Sequence, residues 1–423
     1  MSAGHRPDSI IAVLGATGIT GRVALAHLQE RAEAAGITVR AGGRDPDRIR
    51  ALCARRGIPV PQLVRADVED PASLDDLLRG AAVLINLAGP YTRLAPPVLA
   101  ACLRSATHYL DLTGEPQLVI RTDRDLHSAA KEAGIALVHT AGFEALPMDV
   151  LTDLARRAAA ARGHQLRSAD LEVSVTAAPG AGLLDAVSGG TIQSLLASLA
   201  DPEPPRMADV AVRIPADGAA PGTAGDADEV RAASPLVLRA RFPRGRALAP
   251  QSPLATINPP VIHRTQALSP VPGAAQAPLA YREAMSLGAA TPAGRAAAHS
   301  IAAAQRGMVR LSRLPHPLRA AVAAGLGRVL PASGEGPGQD VDAGWSWSIR
   351  GTFTTHQRTV FEASWEATGN PGYGTTPRMV AELAIRIARR GVPEAALGSS
   401  TPALALDGDV AALRPAGAEI RLI

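Results

Sequence analysis

Residues 10–22 read Ile10-Ile11-Ala12-Val13-Leu14-Gly15-Ala16-Thr17-Gly18-Ile19-Thr20-Gly21-Arg22, and this stretch decides the fold. Its first five residues are an unbroken apolar run, the pattern of a strand covered on both faces. Three glycines follow at Gly-x-x-Gly-x-x-Gly spacing, and residues 19–35 then take a helical pattern. Strand, glycine turn and helix together are the context in which such a motif binds a dinucleotide. Gly15 allows the tight turn, Gly18 lets a pyrophosphate approach the helix N-terminus, and Gly21 permits close helix-to-strand packing. Thr17, Ile19, Thr20 and Arg22 complete the expected cofactor contacts of the turn. A tight turn without a ligand is the competing reading.

Working outward, strand candidates at 37–41, 62–65, 83–86, 108–110 and 136–139 alternate with helical patterns at 72–79, 96–105 and 123–133. This alternation predicts a parallel sheet covered by helices and joined by right-handed crossovers. The carboxyl ends of these strands carry the remaining cofactor candidates. Arg44 follows the second strand, where an acidic residue would grip a ribose 2′-hydroxyl and an arginine accommodates a 2′-phosphate. The cofactor expected is therefore NADPH, with Arg22 as a helper; a solvated arginine before the Asp45-Pro46 helix start is the alternative. Asp67 and Val68 lie where adenine is held, unless Asp67 is a helix cap. Asn86, Ala88, Gly89 and Pro90 line the turn after the fourth strand, where the nicotinamide ribose approaches. Tyr91 then stands near the hydride-transfer face, or is a packed aromatic.

After Gly142 the pattern changes. Residues 171–176, 346–354 and 358–366 alternate as half-buried strands, the last two forming a hairpin turned at 355–357. Trp345, Trp347 and Trp365 cluster there. Residues 201–251 read as loop-rich, 291–330 as alanine-rich helices broken at Pro315 and Pro317, and 376–390 as a helix ended by Gly391 and Pro393.

Composition excludes several functions. A chain of 423 residues exceeds one ordinary core, and 47% hydrophobic with 19% charged residues describes a globular protein. The net charge of +4 comes without any run of five basic residues, and the few aromatics are not interleaved with basic ones, so nucleic acid is not an expected partner. Cys53 and Cys102 make no disulfide framework and fit no zinc spacing, so no metal is expected. No apolar run reaches membrane-spanning length and residues 1–9 lack a signal core, which predicts a cytoplasmic protein. The one lysine, Lys131, sits in a polar helical segment. That argues against a Schiff base or a phosphate-loop lysine, and the Tyr-x-x-x-Lys pair is ruled out because position 127 is His127.

The motif of 15–22, with Gly89-Pro90-Tyr91-Thr92-Arg93 and His108-Tyr109-Leu110-Asp111-Leu112-Thr113-Gly114-Glu115, resembles the saccharopine dehydrogenase-like oxidoreductases, and within them the trans-acting enoyl reductase branch. Gly142-Phe143-Glu144-Ala145-Leu146-Pro147-Met148-Asp149 is similar to that branch's Gly-Phe-Asp-Ser-x-Pro-Ser-Asp segment. Ser188-Gly189-Gly190-Thr191, Gly334-Glu335-Gly336-Pro337, Asn370-Pro371-Gly372-Tyr373-Gly374 and Thr401-Pro402-Ala403 extend the likeness more thinly. Ile19, Glu144, Ala145, Met148 and Asn370 depart from the pattern.

The resemblance implies an α/β architecture: a Rossmann parallel sheet over 1–146 and an α+β domain on a mixed, partly antiparallel sheet over 147–369. A C-terminal segment, 370–423, would return to the first domain. It also implies a homodimer.

A nicotinamide enzyme must donate or accept one proton. Tyr91 is the first candidate, followed by Glu115 and Asp111 after the fifth strand. The leading reading is an NADPH-dependent reductase of a C=C or C=N bond on a small substrate, or on one presented by an acyl carrier protein. A saccharopine-type dehydrogenase forming amino acids or polyamines needs arginines such as Arg93 or Arg264 at the cleft. A non-catalytic NADPH-sensing module is the third reading.

Overall fold

The opening apolar run forms β1 (Ser9–Leu14), with Ile11, Ala12 and Val13 fully buried. This computed structural model describes residues 9–180, 189–203, 211–214, 228–231, 237–250, 257–269, 271, 279–328 and 344–423. Helix α1 (Ile19–Ala35) ends where Gly36 adopts the left-handed conformation that caps a C-terminus. The alternation continues through β2 (Ile37–Gly43), α2 (Pro46–Arg56), β3 (Gln62–Arg65), α3 (Pro71–Leu78), β4 (Ala81–Asn86), α4 (Tyr91–Ser105) and β5 (His108–Asp111). It closes with α5 (Pro116–Asp125), α6 (His127–Glu132) and β6 (Ala136–Val138).

Beyond it come α7 (Leu146–Ala160), β7 (Leu166–Thr176), α8 (Gly189–Ala200), β8 (Ala211–Ile214), β9 (Asp228–Arg231), β10 (Arg246–Ala249), α9 (Asn258–Leu268) and β11 (Ala280–Ala289). The chain continues through α10 (Pro292–Ser312), α11 (His316–Leu326), β12 (Ser346–Thr355), β13 (Val360–Thr368) and α12 (Thr376–Arg390). It ends with β14 (Gly398–Ser400), α13 (Pro402–Leu406) and β15 (Glu419–Leu422).

The first sheet is wholly parallel, in the order β14-β6-β5-β4-β1-β2-β3. Strand order reverses between β1 and β4, and in open α/β sheets ligands bind outside the carboxyl ends at such a switch point. The second sheet is mixed, in the order β10-β11-β7-β12-β13-β15, with β11 parallel to β7 and the other pairs antiparallel. Burial alternates along β12 and β13, which places Trp347, Ile349, Phe353, Phe361 and Trp365 on the inner face. The chain thus has the expected α/β architecture with a second, mixed sheet.

Some boundaries differ from the sequence reading. Prolines 96 and 97 suggested a helix start, yet α4 begins five residues earlier at Tyr91 and carries both inside it. The helix expected over 123–133 divides at Leu126, whose φ of −121° breaks the helical path between α5 and α6. Gly334–Pro337 and much of 201–251 lie outside the described residues.

The C-terminal segment returns to the first sheet twice: β14 is its edge strand beside β6, and α12 packs on α1, β1 and β4. A helix so enclosed is buried nearly all round. Its one buried carboxylate, Glu382, accepts from His27 Nε2 at 2.7 Å and Arg31 Nε at 2.8 Å, both on α1. Removing one partner of a buried pair leaves the other uncompensated. Glu382→Ala should therefore cost about 3 kcal/mol of stability, read from urea unfolding. A loss near zero would mean that the apolar contacts of α12 hold it alone.

Candidate functional site

The turn after β1 shows why each motif glycine is there. Gly15 has a φ of +85°, and a Cβ on it would meet the Leu87 backbone at 2.8 Å. A Cβ on Gly21 would fall 2.1 Å from the Gly15 carbonyl oxygen. Both glycines are thus demanded by the fold. Gly18 is different: its φ of −68° suits any residue, and a Cβ would meet only Gly15 O, at an ordinary 3.4 Å. Nothing among the described residues requires glycine at 18, which suits a group outside the chain that needs close backbone approach.

The start of α1 agrees. Asp45 and Asp70 cap α2 and α3 with their carboxylates. Gly18 begins α1 with no side-chain cap and no acidic residue in the first turn. Unpaired first-turn amides and the helix dipole favour an anion. The residues present therefore fit the pyrophosphate of a dinucleotide.

The other cofactor candidates lie along the same carboxyl edge. Thr17 is exposed, Ile19 and Thr20 half-buried, and Arg44 exposed at the end of β2. Arg22 is half-buried, and burial first, then the charge of Arg56, lowers its pKa. Asp67 uses Oδ1 to accept from Glu69 N at 3.2 Å, so its carboxylate already serves a local turn, while Val68 packs on the α3–α4 core.

Asn86 is fully buried; its Oδ1 accepts from Ala88 N at 3.1 Å and shapes the turn that leads through Gly89 and Pro90. Its Nδ2 donates to the Tyr109 hydroxyl at 3.0 Å, and that hydroxyl donates to Asp111 Oδ2 at 2.8 Å. The same oxygen takes His139 Nδ1 at 2.8 Å, and His139 Nε2 meets the Thr122 hydroxyl at 2.9 Å. Asp111 Oδ1 accepts the amides of Thr113 and Thr140 at 3.1 and 3.2 Å. One buried carboxylate thereby ties β4, β5, the loop after β6 and α5 together.

This geometry revises the proton-donor candidates. Asp111 accepts at both oxygens, which makes it a structural hub. Glu115, also fully buried, accepts from Tyr91 N at 2.9 Å and Thr92 N at 2.7 Å, so it caps α4 from the loop after β5. Both of its oxygens are therefore engaged as a helix cap, which leaves neither free to face a substrate. Tyr91 is itself buried. Burial, then the charges of Asp111, Glu144 and Glu115, push its pKa well up, and the Leu112 backbone hydrogen-bonds its side chain. It stays neutral across the physiological range.

Three residues of this edge were not singled out from sequence as site residues: Tyr109, His139 and Glu144. Tyr109 and His139 lie in or beside strand ends that the pattern reading did find. Glu144 was visible only as a departure from a family motif. Of the arginines that a dicarboxylate substrate would need, Arg264 is buried, donates to the Ser399 carbonyl at 2.8 and 3.1 Å and pairs with Asp123 at 3.0 Å. Arg93 is exposed on α4. Tyr373, of the Asn370–Gly374 motif, is enclosed in the turn before α12.

Residues 11–138 match the family model of the saccharopine dehydrogenase NADP binding domain. A trans-acting enoyl reductase of Mycobacterium ulcerans is 31% identical over 360 residues, covering 80% of this chain and 79% of that one. That of Mycobacterium leprae is 30% identical over 436 residues, covering 95% and 96%. The apo L-Glu-forming saccharopine dehydrogenase of Saccharomyces cerevisiae aligns over 98% of this chain and 99% of that one, at 14% identity and a TM-score of 0.49. The switch-point glycine turn and the domain match define an NADP-binding oxidoreductase. The chain belongs to the trans-acting enoyl reductase family, on the saccharopine dehydrogenase-like branch.

The two kinds of glycine separate experimentally. Gly18→Ala should leave the melting temperature nearly unchanged yet weaken NADPH binding at least tenfold, roughly 1.4 kcal/mol. Gly21→Ala should unfold or strongly destabilise the chain. Equal NADPH affinity in Gly18→Ala and wild type would show that the turn serves the fold alone.

Proposed function

We propose that this chain is an NADPH-dependent reductase of the C=C bond of an enoyl substrate. The observation that carries it is the glycine turn, whose central glycine nothing among the described residues requires, set at the switch point beside the Asn86–Tyr91 loop. NADPH supplies a hydride to the substrate when bound. Gly15, Thr17, Gly18, Ile19, Thr20 and Gly21 would hold its pyrophosphate, and Arg22 and Arg44 its 2′-phosphate. Asp67 and Val68 would flank the adenine, and Asn86, Ala88, Gly89 and Pro90 the nicotinamide ribose. The Asp111 network fixes the shape of that last turn, and neutral Tyr91 lines the floor beside it.

The printed designation of the relatives as enoyl reductases supports C=C over C=N reduction, and "trans-acting" supports a substrate carried by another protein, such as an acyl carrier protein. Residues 1–146 would then hold cofactor, 147–369 the substrate side, and 370–423 the brace between them, in a cytoplasmic homodimer. The amino-acid-forming alternative loses support because Arg264 is consumed by Ser399 and Asp123.

Fluorescence titration with NADPH and NADH tests the cofactor. Wild type should prefer NADPH by roughly 100-fold, about 2.7 kcal/mol, and Arg44→Ala should lose most of that preference. Equal binding of both nucleotides by wild type would contradict the assignment of Arg44.

A further inference from the structure

Hydrogenation of a C=C bond needs a proton as well as a hydride, and none of the three groups nearest the β4 and β5 ends offers one freely. Asp111 and Glu115 accept at both oxygens, and burial makes the Tyr91 hydroxyl, which accepts from the Leu112 backbone, a far weaker acid than an ordinary tyrosine. The carboxyl group left over is Glu144, in the loop between β6 and α7.

Its placement is unusual. A Cβ on Gly142 would lie 2.6 and 2.8 Å from the two Glu144 oxygens and 2.6 Å from Thr376 Cγ2. The carboxyl is therefore folded back against the bare Gly142 backbone, close to the N-terminus of α12. Glu144 Oε1 is buried and has no hydrogen-bond partner among the described residues. Buried polar atoms are nearly always paired, so an open one beside a cofactor edge calls for a function. The titratable groups that act on this corner are Asp111 from β5 and Tyr91 from α4; α12 meets it with the uncharged Thr376.

We propose that Glu144 is the catalytic acid that delivers the proton to the substrate α-carbon. In the balanced step, the substrate β-carbon gains a hydride with its electron pair. The π pair moves to the α-carbon and bonds the proton from the Glu144 O–H. The C=C bond is reduced at the expense of NADPH, oxidised to NADP⁺, and the Glu144 carboxylate regains a proton from solvent. Burial pushes its pKa up to about 8, Asp111 adds to the rise, and the backbone at Glu144 and Gly142 holds it back. Glu144 is thus protonated at neutral pH, as a donor must be. Tyr91, facing the same corner and neutral, is a positioning residue.

This assignment rests on the enoyl-reductase reading. The test uses the full-length chain with NADPH and a short and a long trans-2-enoyl thioester of coenzyme A. Glu144→Gln should lower kcat by roughly 10²–10³-fold with NADPH affinity unchanged by fluorescence. Glu144→Asp should recover to within about tenfold of wild type. Wild-type kcat should fall above a pH of about 8, and this limb should vanish in Glu144→Gln.

Thermal melts supply a readout without substrate. A carboxyl whose pKa is raised on folding contributes most at low pH, and that contribution is lost as pH rises through the folded value. Wild type should therefore lose stability relative to Glu144→Gln as pH climbs from about 4.5 to about 8, and the difference should level off above that. Glu144→Gln with near-wild-type kcat and the same alkaline limb would overturn the assignment and leave the enoyl-reductase reading standing. Wild type that binds NADPH but reduces neither thioester would overturn both.

Discussion

The approach of Gly21 to the Gly15 carbonyl governs this molecule. With no side chain at either position, α1 settles against β1 so closely that a methyl group on Gly21 would sit 2.1 Å from the carbonyl oxygen. This closeness brings the first turn of α1 to the carboxyl end of β1, where the sheet order reverses. The bare amides of that turn then face the cleft instead of an internal acceptor. Cofactor binding is therefore a consequence of packing: the contact that builds the fold also aims the anion site.

The second organising element is the buried carboxylate of Asp111. A charge taken from water is tolerated when its lone pairs are filled, and here two amides, a tyrosine hydroxyl and a histidine fill them. The result is a rigid edge that joins four elements, with Glu115 capping α4 beside it. Burial first, and this negative charge second, keep Tyr91 neutral and Glu144 protonated. The site thus uses its carboxylates in three ways: as a hub, as a cap and, by our assignment, as an acid.

Much of this was legible in the sequence. The parallel sheet followed from the apolar run at 10–14, because a strand buried on both faces cannot alternate, and from strand candidates such as 83–86 and 108–110 set between helical patterns. The glycine turn followed from spacing plus context. Helix α12 was bounded correctly by Gly391 and Pro393, but its burial on nearly all sides was not legible, because Glu382 and Arg386 look like surface residues until their partners on other elements are known. The roles of Asp111 and Glu115 were illegible for the same reason. Tyr109 and Thr113 are near Asp111 in sequence, but His139 and Thr140 are 28 and 29 residues from it, and Tyr91 and Thr92 are 24 and 23 from Glu115; three of these four contacts are to backbone amides, which carry no sequence signal. Glu144 matters because its Oε1 has no partner among the described residues, which only three-dimensional packing reveals.

The central claim is that hydride from NADPH reaches an enoyl carbon. Its most direct test is isotope tracing with NADPH deuterated at the nicotinamide C4 position and a trans-2-enoyl thioester of coenzyme A in ordinary water, with the product read by mass spectrometry. The account predicts a saturated thioester with one deuterium at the β-carbon, and in heavy water with unlabelled NADPH one deuterium at the α-carbon. An unreduced thioester, or a reduced product without cofactor-derived deuterium at the β-carbon, would contradict it.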